Sequence, residues 1–171
     1  MLDEAEQMPG YKELPGTQAD YLYTRSRCYQ FTQQYDKAIT VSRQIMDLEP
    51  ASGDTLAHEN IRTRAVGAMN NVNNIFYFTS RPAEGAAWFH QLRSNPPTLL
   101  KECCQRDMMI FEGYLTGLAG QLEHAKAIMD SALSLPIYRK TSENTFRDCA
   151  FAASAYFKHP ERKKEVERLM K

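Results

Sequence analysis

The 171-residue chain has no surplus of charge: 21 basic side chains stand against 21 acidic ones, and the formal net charge is zero. Proteins that hold nucleic acid concentrate basic charge, so the balance weighs against a nucleic-acid partner. Long apolar runs are missing too. The longest, Ala150 to Phe157, is interrupted by Ser154 and falls well short of the ~20 residues that cross a bilayer, so no membrane insertion is expected. Met1-Leu2-Asp3-Glu4-Ala5-Glu6 is acidic where a secretory leader is basic and then apolar. That favours the cytoplasm and leaves the periplasm open for a chain trimmed upstream.

Cysteine is scarce as well. Cys28, Cys103, Cys104 and Cys149 contain no C-x-x-C pair and no zinc spacing. Three of them fall on apolar helix faces, where Cys serves as a small hydrophobe. The adjacent pair Cys103–Cys104 is the one candidate for thiol chemistry, which rapid single-site alkylation of the folded protein would reveal. β-Branched residues are also few: Val and Ile number 11 together, against 18 Ala and 14 Leu. Strands favour β-branched residues, whereas Ala and straight-chain residues lose little entropy in a helix. An all-α fold is expected.

What is present is a globular composition, 43% hydrophobic and 11% aromatic, which excludes disorder as the main state. Breakers cluster at Pro15-Gly16, Pro50 to Gly53, Arg81-Pro82, Asn95-Pro96-Pro97, Gly120, Pro136 and His159-Pro160. Between them apolar residues recur at intervals of three and four, the spacing of one helix face. The clearest stripe is Ala65, Ala68, Met69, Val72, Ile75, Phe76 and Thr79, within a helix starting near Asp54. Tyr21, Leu22, Arg25, Cys28, Tyr29 and Thr32 give an earlier stripe, with Thr17 and Asp20 spaced as a capping box. Leu100 to Leu118 reads as one helix. Short connections make consecutive helices antiparallel neighbours, in hairpins at about 17–50, 54–95, 97–136 and 142–171.

Three segments share a layout: Gln34-Tyr35-Asp36-Lys37-Ala38, Arg81-Pro82-Ala83-Glu84-Gly85 and Gly120-Gln121-Leu122-Glu123-His124-Ala125. In each a small residue (Ala38, Gly85, Ala125) opens a second helix that stops at Pro50, Pro97 or Pro136. Small residues let helices approach closely, and proline cannot continue a helix. Tyr29, Ala38 and Pro50, then Phe76, Gly85, Phe89 and Leu92, then Gly113, Ala125 and Ala132 occupy the aromatic, small and apolar positions of the tetratricopeptide repeat (TPR). The chain resembles that family, whose unit is a helix-turn-helix of about 34 residues. The spacings from Ala38 to Gly85 and to Ala125 are longer than that, and the early Trp and Leu-Gly are missing from the first two units. The resemblance implies a single TPR-like domain over 1–171, an α-solenoid of about four hairpins. Residues 1–10 read as the second helix of a preceding repeat whose first helix is absent. An open repeat end then calls for a longer array or for pairing with another copy, a homo-oligomer.

No catalytic set stands out, and neither a metal nor a cofactor is expected. His58, His90, His124 and His159 share no ligand spacing, and Gly113, Gly117 and Gly120 lack the strand and the Gly-Lys-Ser/Thr of a phosphate loop. Asp and Glu read as spread along solvated faces. Trp88 borders its stripe, half exposed. The segment from Lys158 to Lys171 has six basic and three acidic residues and reads as a solvated terminal helix.

In TPR arrays the first helices line a concave groove, and the resemblance places Asp20, Tyr23, Arg27 and Gln30 there, then Asn70, Asn74, Tyr77 and Phe78, then Asp107, Ile110, Tyr114 and Leu118. Asn70, Asn71, Asn73 and Asn74 crowd one turn although Asn is a mediocre helix former. Their amides suit either an extended peptide backbone or a bridge between neighbouring helices. Of the positions matching the family's carboxylate clamp (Tyr23, Arg27, Asn71, Asp107, Phe111), only Arg27 is a cation, so no such clamp is expected. The resulting expectation is a non-enzymatic scaffold that binds a protein or peptide through Tyr23, Arg27, Asn70, Asn74, Tyr77 and Tyr114. The alternative is a sensory or regulatory segment of a larger bacterial signalling or transcription-control protein.

Overall fold

The computed structural model describes residues 15–50 and 53–135, together with Lys164 and Glu167. Among the described residues 83% are helical and none lies in a strand. The helices are α1 (Pro15–Phe31), α2 (Tyr35–Met46), α3 (Thr55–Phe78), α4 (Pro82–Ser94), α5 (Thr98–Cys103), α6 (Gln105–Leu118) and α7 (Leu122–Ser134). The protein is all-α, as its shortage of β-branched residues implies. The expected fourth hairpin over 142–171 and the helix over 1–10 lie outside the described residues, Lys164 and Glu167 excepted; both of these are helical and exposed.

One tight turn recurs three times. In each a residue adopts the left-handed conformation: Gln33 with φ 58°, Ser80 with φ 55° and Gly120 with φ 86°. The next amide reaches back to a carbonyl near the end of the preceding helix, Gln34 N to Tyr29 O at 2.8 Å, Arg81 N to Phe76 O at 2.9 Å and Gln121 N to Thr116 O at 3.1 Å. These bonds satisfy carbonyls that a helix end leaves open. The following helix then starts with the amides of Ala38, Gly85 and Ala125 bonded to the carbonyls of Gln34, Arg81 and Gln121 at 3.0, 3.1 and 2.9 Å. The three small residues singled out in the sequence thus occupy one equivalent position.

Contacts divide the chain into two compact units, Met1–Ile75 with Pro97–Cys103 and Phe76–Pro96 with Cys104–Lys171. In the first, α1 packs on α2, and Leu22, Val41, Ile45, Met46, Ile61, Met69 and Val72 are buried. α1 turns inward a face other than the expected one. Ala19, Leu22 and Ser26 are buried, while Cys28 and Thr32 are exposed. The reason is polar: Ser26 Oγ lies 2.7 Å from Ser42 Oγ and bonds the Ala38 carbonyl at 3.2 Å, so a hydroxyl pair fills a place that hydropathy assigns to carbon. The capping box is also absent, because α1 begins at Pro15 and leaves Thr17 inside the helix. The cap that does form is on α3, where Asp54 Oδ1 accepts the Ala57 amide at 2.9 Å.

In the second unit α6 packs on α4 and α7. A Cβ at Gly85 would stand 2.7 Å from Phe76 Cγ and 2.8 Å from Leu115 Cδ1. One at Gly113 would stand 2.8 Å from Met129 Cγ. Both glycines mark close approaches of helices, and Phe89 stacks on Phe111 with ring centres 5.4 Å apart. The expected helix from Leu100 to Leu118 is broken at Cys104, whose φ of −128° and ψ of 14° leave the helical range. The break falls where the chain passes from one unit to the other, between Cys103 and Cys104.

Candidate functional site

The residues expected in a groove fall in both units: Tyr23, Arg27, Asn70 and Asn74 in the first, Tyr77 and Tyr114 in the second. On the first unit α1 faces α3 through a polar seam. Asp20 takes hydrogen bonds from Arg64 Nε at 2.5 Å and Asn60 Nδ2 at 3.2 Å. The Tyr23 ring lies against Gly67, where a Cβ would come within 2.8 Å of its Cε2, and the Arg64 guanidinium sits 5.2 Å from the ring centre. Asp20 and Tyr23 therefore fasten α1 to α3. Gly67 has a plain reason to be glycine.

Arg27 is engaged in the same seam. Its Nη1 donates to Asn71 Oδ1 at 3.2 Å, and its guanidinium sits 5.0 Å from the ring centre of Phe31, itself 73% exposed. The four asparagines divide by face. Asn71 and Asn73 are buried, each 1% exposed, while Asn70 and Asn74 are half-buried. Asn71 thus serves as a bridge between helices. Its Nδ2 and the Oδ1 of Asn73 are buried with no hydrogen-bond partner among the described residues.

Along α3 itself, Asn70, Asn74 and Tyr77 are spaced by four and three and so share a face. Tyr77 is 43% and Phe78 71% exposed, with their rings edge-on at 5.2 Å. Tyr114 departs from expectation: it is buried at 9%, as is Ile110 at 1%, and its ring stands 6.3 Å from that of Tyr77. The apolar surroundings of α6 draw both inward, so Tyr114 supports Tyr77 and does not itself present a contact surface.

Sequence reasoning missed a buried charge. Glu112, read with the solvated acids, is 2% exposed. Its Oε2 accepts from Arg93 Nε at 2.6 Å, its Oε1 accepts from Arg93 Nη2 at 3.1 Å, and His90 Nδ1 lies 2.9 Å from that Oε1. The hydrogen bond to Glu112 raises the Arg93 pKa from its ordinary value, against the opposing pull of partial burial. This fork ties α4 to α6. Arg106, 9% exposed, donates Nη1 to the carbonyls of Leu133 and Leu135 at 3.1 and 2.7 Å, holding the end of α7. A lone acid or base inside an apolar run, as in Met108-Met109-Ile110-Phe111-Glu112, is the signal that could have found the first.

Cys103 and Cys104 are buried at 7% and 0%, which leaves little room for thiol chemistry at their surface. Cys149 and His159 lie outside the described residues. Trp88 is half-buried, edge-on to Phe89. Among the described residues no three His, Cys, Asp or Glu side chains are grouped to hold a metal ion, and no helix is long and apolar enough to cross a membrane. Compared with models of protein families, with curated proteins and with solved structures, the chain matches none.

Proposed function

We propose that the protein is a non-enzymatic scaffold of TPR-like helix pairs, arranged as a solenoid of about four hairpins, that binds a protein or peptide along its first helices. The observation that carries this reading is the threefold recurrence of one turn, with Ala38, Gly85 and Ala125 at the same place after it. Stacked helix pairs of one design leave a row of first helices for recognition. Within that row the open face of α3 is the part to favour. Asn70 and Asn74 offer both donors and acceptors to an extended backbone, and Tyr77 offers a rigid amphipathic ring, braced by Tyr114. Tyr23 and Arg27 take a supporting part, since both are engaged with α3.

The test is selection of peptides from a displayed random library against the whole chain. Selected peptides should lose at least about tenfold in affinity for the Asn74→Ala, Tyr77→Ala double variant, which removes one amide and one anchor ring, while helicity stays at the wild-type level. Equal affinity for both proteins, or a library that yields no binder, would reject the α3 face.

A further inference from the structure

The seam between α1 and α3 in the first unit keeps one register. Asn60 reaches the Gly16 carbonyl, Arg64 reaches Asp20 and Arg27 reaches Asn71, each pair 44 residues apart, so the two helices run parallel. Upstream the charges are matched, since Asp20 takes both Arg64 and Asn60. Arg27 differs. It is half-buried, and its partners are a neutral amide and a ring: Asn71 Oδ1 at 3.2 Å and Phe31, whose centre lies 5.0 Å away. Among the described residues no carboxylate pairs with it. Asn71 takes one of the guanidinium's five N–H donors. The same Asn71 amide, on a residue 1% exposed, has a want of its own, because its Nδ2 has no acceptor. Two neighbouring donors, one of them charged, thus lack oxygens to receive them. Carried one turn on, the register sets Phe31 level with Asn74 and Ile75. Phe31 is 73% exposed and Asn74 half-buried, so the seam is open to solvent at that end.

We propose that the open end of this seam binds a phosphate monoester borne on an aromatic ring, a phosphotyrosine of the peptide partner, with its phosphoryl head at Arg27 and Asn71 and its ring against Phe31. The inference rests on the peptide-binding reading of α3 and gives that partner a chemistry. A cation held by neutral groups alone attracts an anion, and hydrogen bonds from a guanidinium fork to an oxyanion are the strong ones. A phosphoryl group brings three strong acceptor oxygens and about −1.5 to −2 charges at neutral pH. That is enough to take up the Arg27 fork, the stranded Asn71 Nδ2 and the Asn74 amide together, whereas a carboxylate brings two oxygens and one charge. The Arg27 side chain rotates on binding, as interface side chains commonly do, and Nδ2 gains its acceptor. The exposed ring beside the cation favours an aromatic carrier, since paired rings gain beyond the area they bury.

The experiment is a nuclear magnetic resonance titration of the whole chain at low ionic strength with acetylated glycine peptides whose central residue is phosphotyrosine, phosphoserine, tyrosine or glutamate. The phosphotyrosine peptide should give saturable amide shifts centred on residues 27–31 and 71–74. The tyrosine and glutamate peptides should bind at least about tenfold more weakly, and the phosphoserine peptide, lacking the ring, about threefold or more. Arg27→Gln should weaken the phosphotyrosine peptide by about tenfold or more. Should that variant lose helicity, Phe31→Ala, at an exposed position, must still weaken it by about threefold or more. Absence of saturable shifts at these residues, any of the other three peptides binding as tightly as phosphotyrosine, or an Arg27→Gln protein binding like wild type would each overturn the proposal. The displayed library carries no phosphate, so the loss of its peptides on the Asn74→Ala, Tyr77→Ala variant tests the α3 face by itself, whatever the phosphopeptides do.

Discussion

Gly85→Ala sets two opposed effects against each other at the start of α4. Replacing glycine in a helix with alanine ordinarily stabilises by about 0.5–1 kcal/mol, because glycine has more freedom to lose on folding. Here the added methyl would stand 2.7 Å from Phe76 Cγ, 2.8 Å from Phe76 Cβ and 2.8 Å from Leu115 Cδ1. The Leu115 methyl ends a flexible side chain and can yield. Phe76 Cβ is one bond from the backbone and can move only with α3 itself. Overpacking of this kind costs about 1–3 kcal/mol, so sterics win and the net loss is about 1–2 kcal/mol. For a chain of this size that lowers the melting temperature by about 2–8 °C. Gly16→Ala is the control. Its methyl would meet Asn60 Nδ2 at 3.6 Å and Ala57 Cα at 3.7 Å, ordinary contact distances, so a gain of about 0.4–1 kcal/mol is expected. Urea and thermal unfolding followed by far-ultraviolet circular dichroism read both. A Gly85→Ala protein as stable as wild type would refute the close approach of α4 to Phe76 and Leu115.

Two further outcomes rest on single contacts. Ser26→Ala strands the Ser42 hydroxyl in the core, since the two oxygens pair at 2.7 Å, and should cost about 1–3 kcal/mol in urea unfolding. Adding Ser42→Ala should recover part of that, and a cost equal to the sum of the single variants would disprove the coupling. Ser80→Gly relieves a left-handed residue, φ 55°, and should stabilise by about 1 kcal/mol; an unchanged urea midpoint would mean that the turn is not strained.

The α3 stripe could be read from the sequence because each of its buried positions is apolar: Ala65, Ala68, Met69, Val72, Ile75 and Phe76 are all at most 1% exposed. Hydropathy and periodicity there say the same thing. On α1 they diverge, because Ser26 reaches the core through a partner sixteen residues away, and pattern reading along one helix sees no partner on another. The break before α6 was hidden for the opposite reason. Cys103 and Cys104 are both buried and both apolar, so a straight helix and a broken one leave the same pattern. The three turns were legible through the small residue and the proline that come after each of them. Their left-handed residues were not, since two of these are Gln33 and Ser80, neither of which advertises that conformation.

The candidate site was legible as composition and illegible as geometry. Four asparagines within five residues signal a departure from good helix chemistry, but only the structure sorts them into Asn71 and Asn73 within and Asn70 and Asn74 without. The buried pair is expensive. A stranded polar atom costs about 1–3 kcal/mol, and both the Asn71 Nδ2 and the Asn73 Oδ1 are in that state. Apolar residues at 71 and 73 would remove that cost, except that Asn71 also receives the Arg27 guanidinium. The cost lies on the same stretch of α3 as the half-open amides and the exposed Tyr77 and Phe78. Local rules of stability are broken most often where a surface is kept for recognition, and it is this coincidence on one helix that makes α3, more than α1 or α6, the place to test the proposed binding.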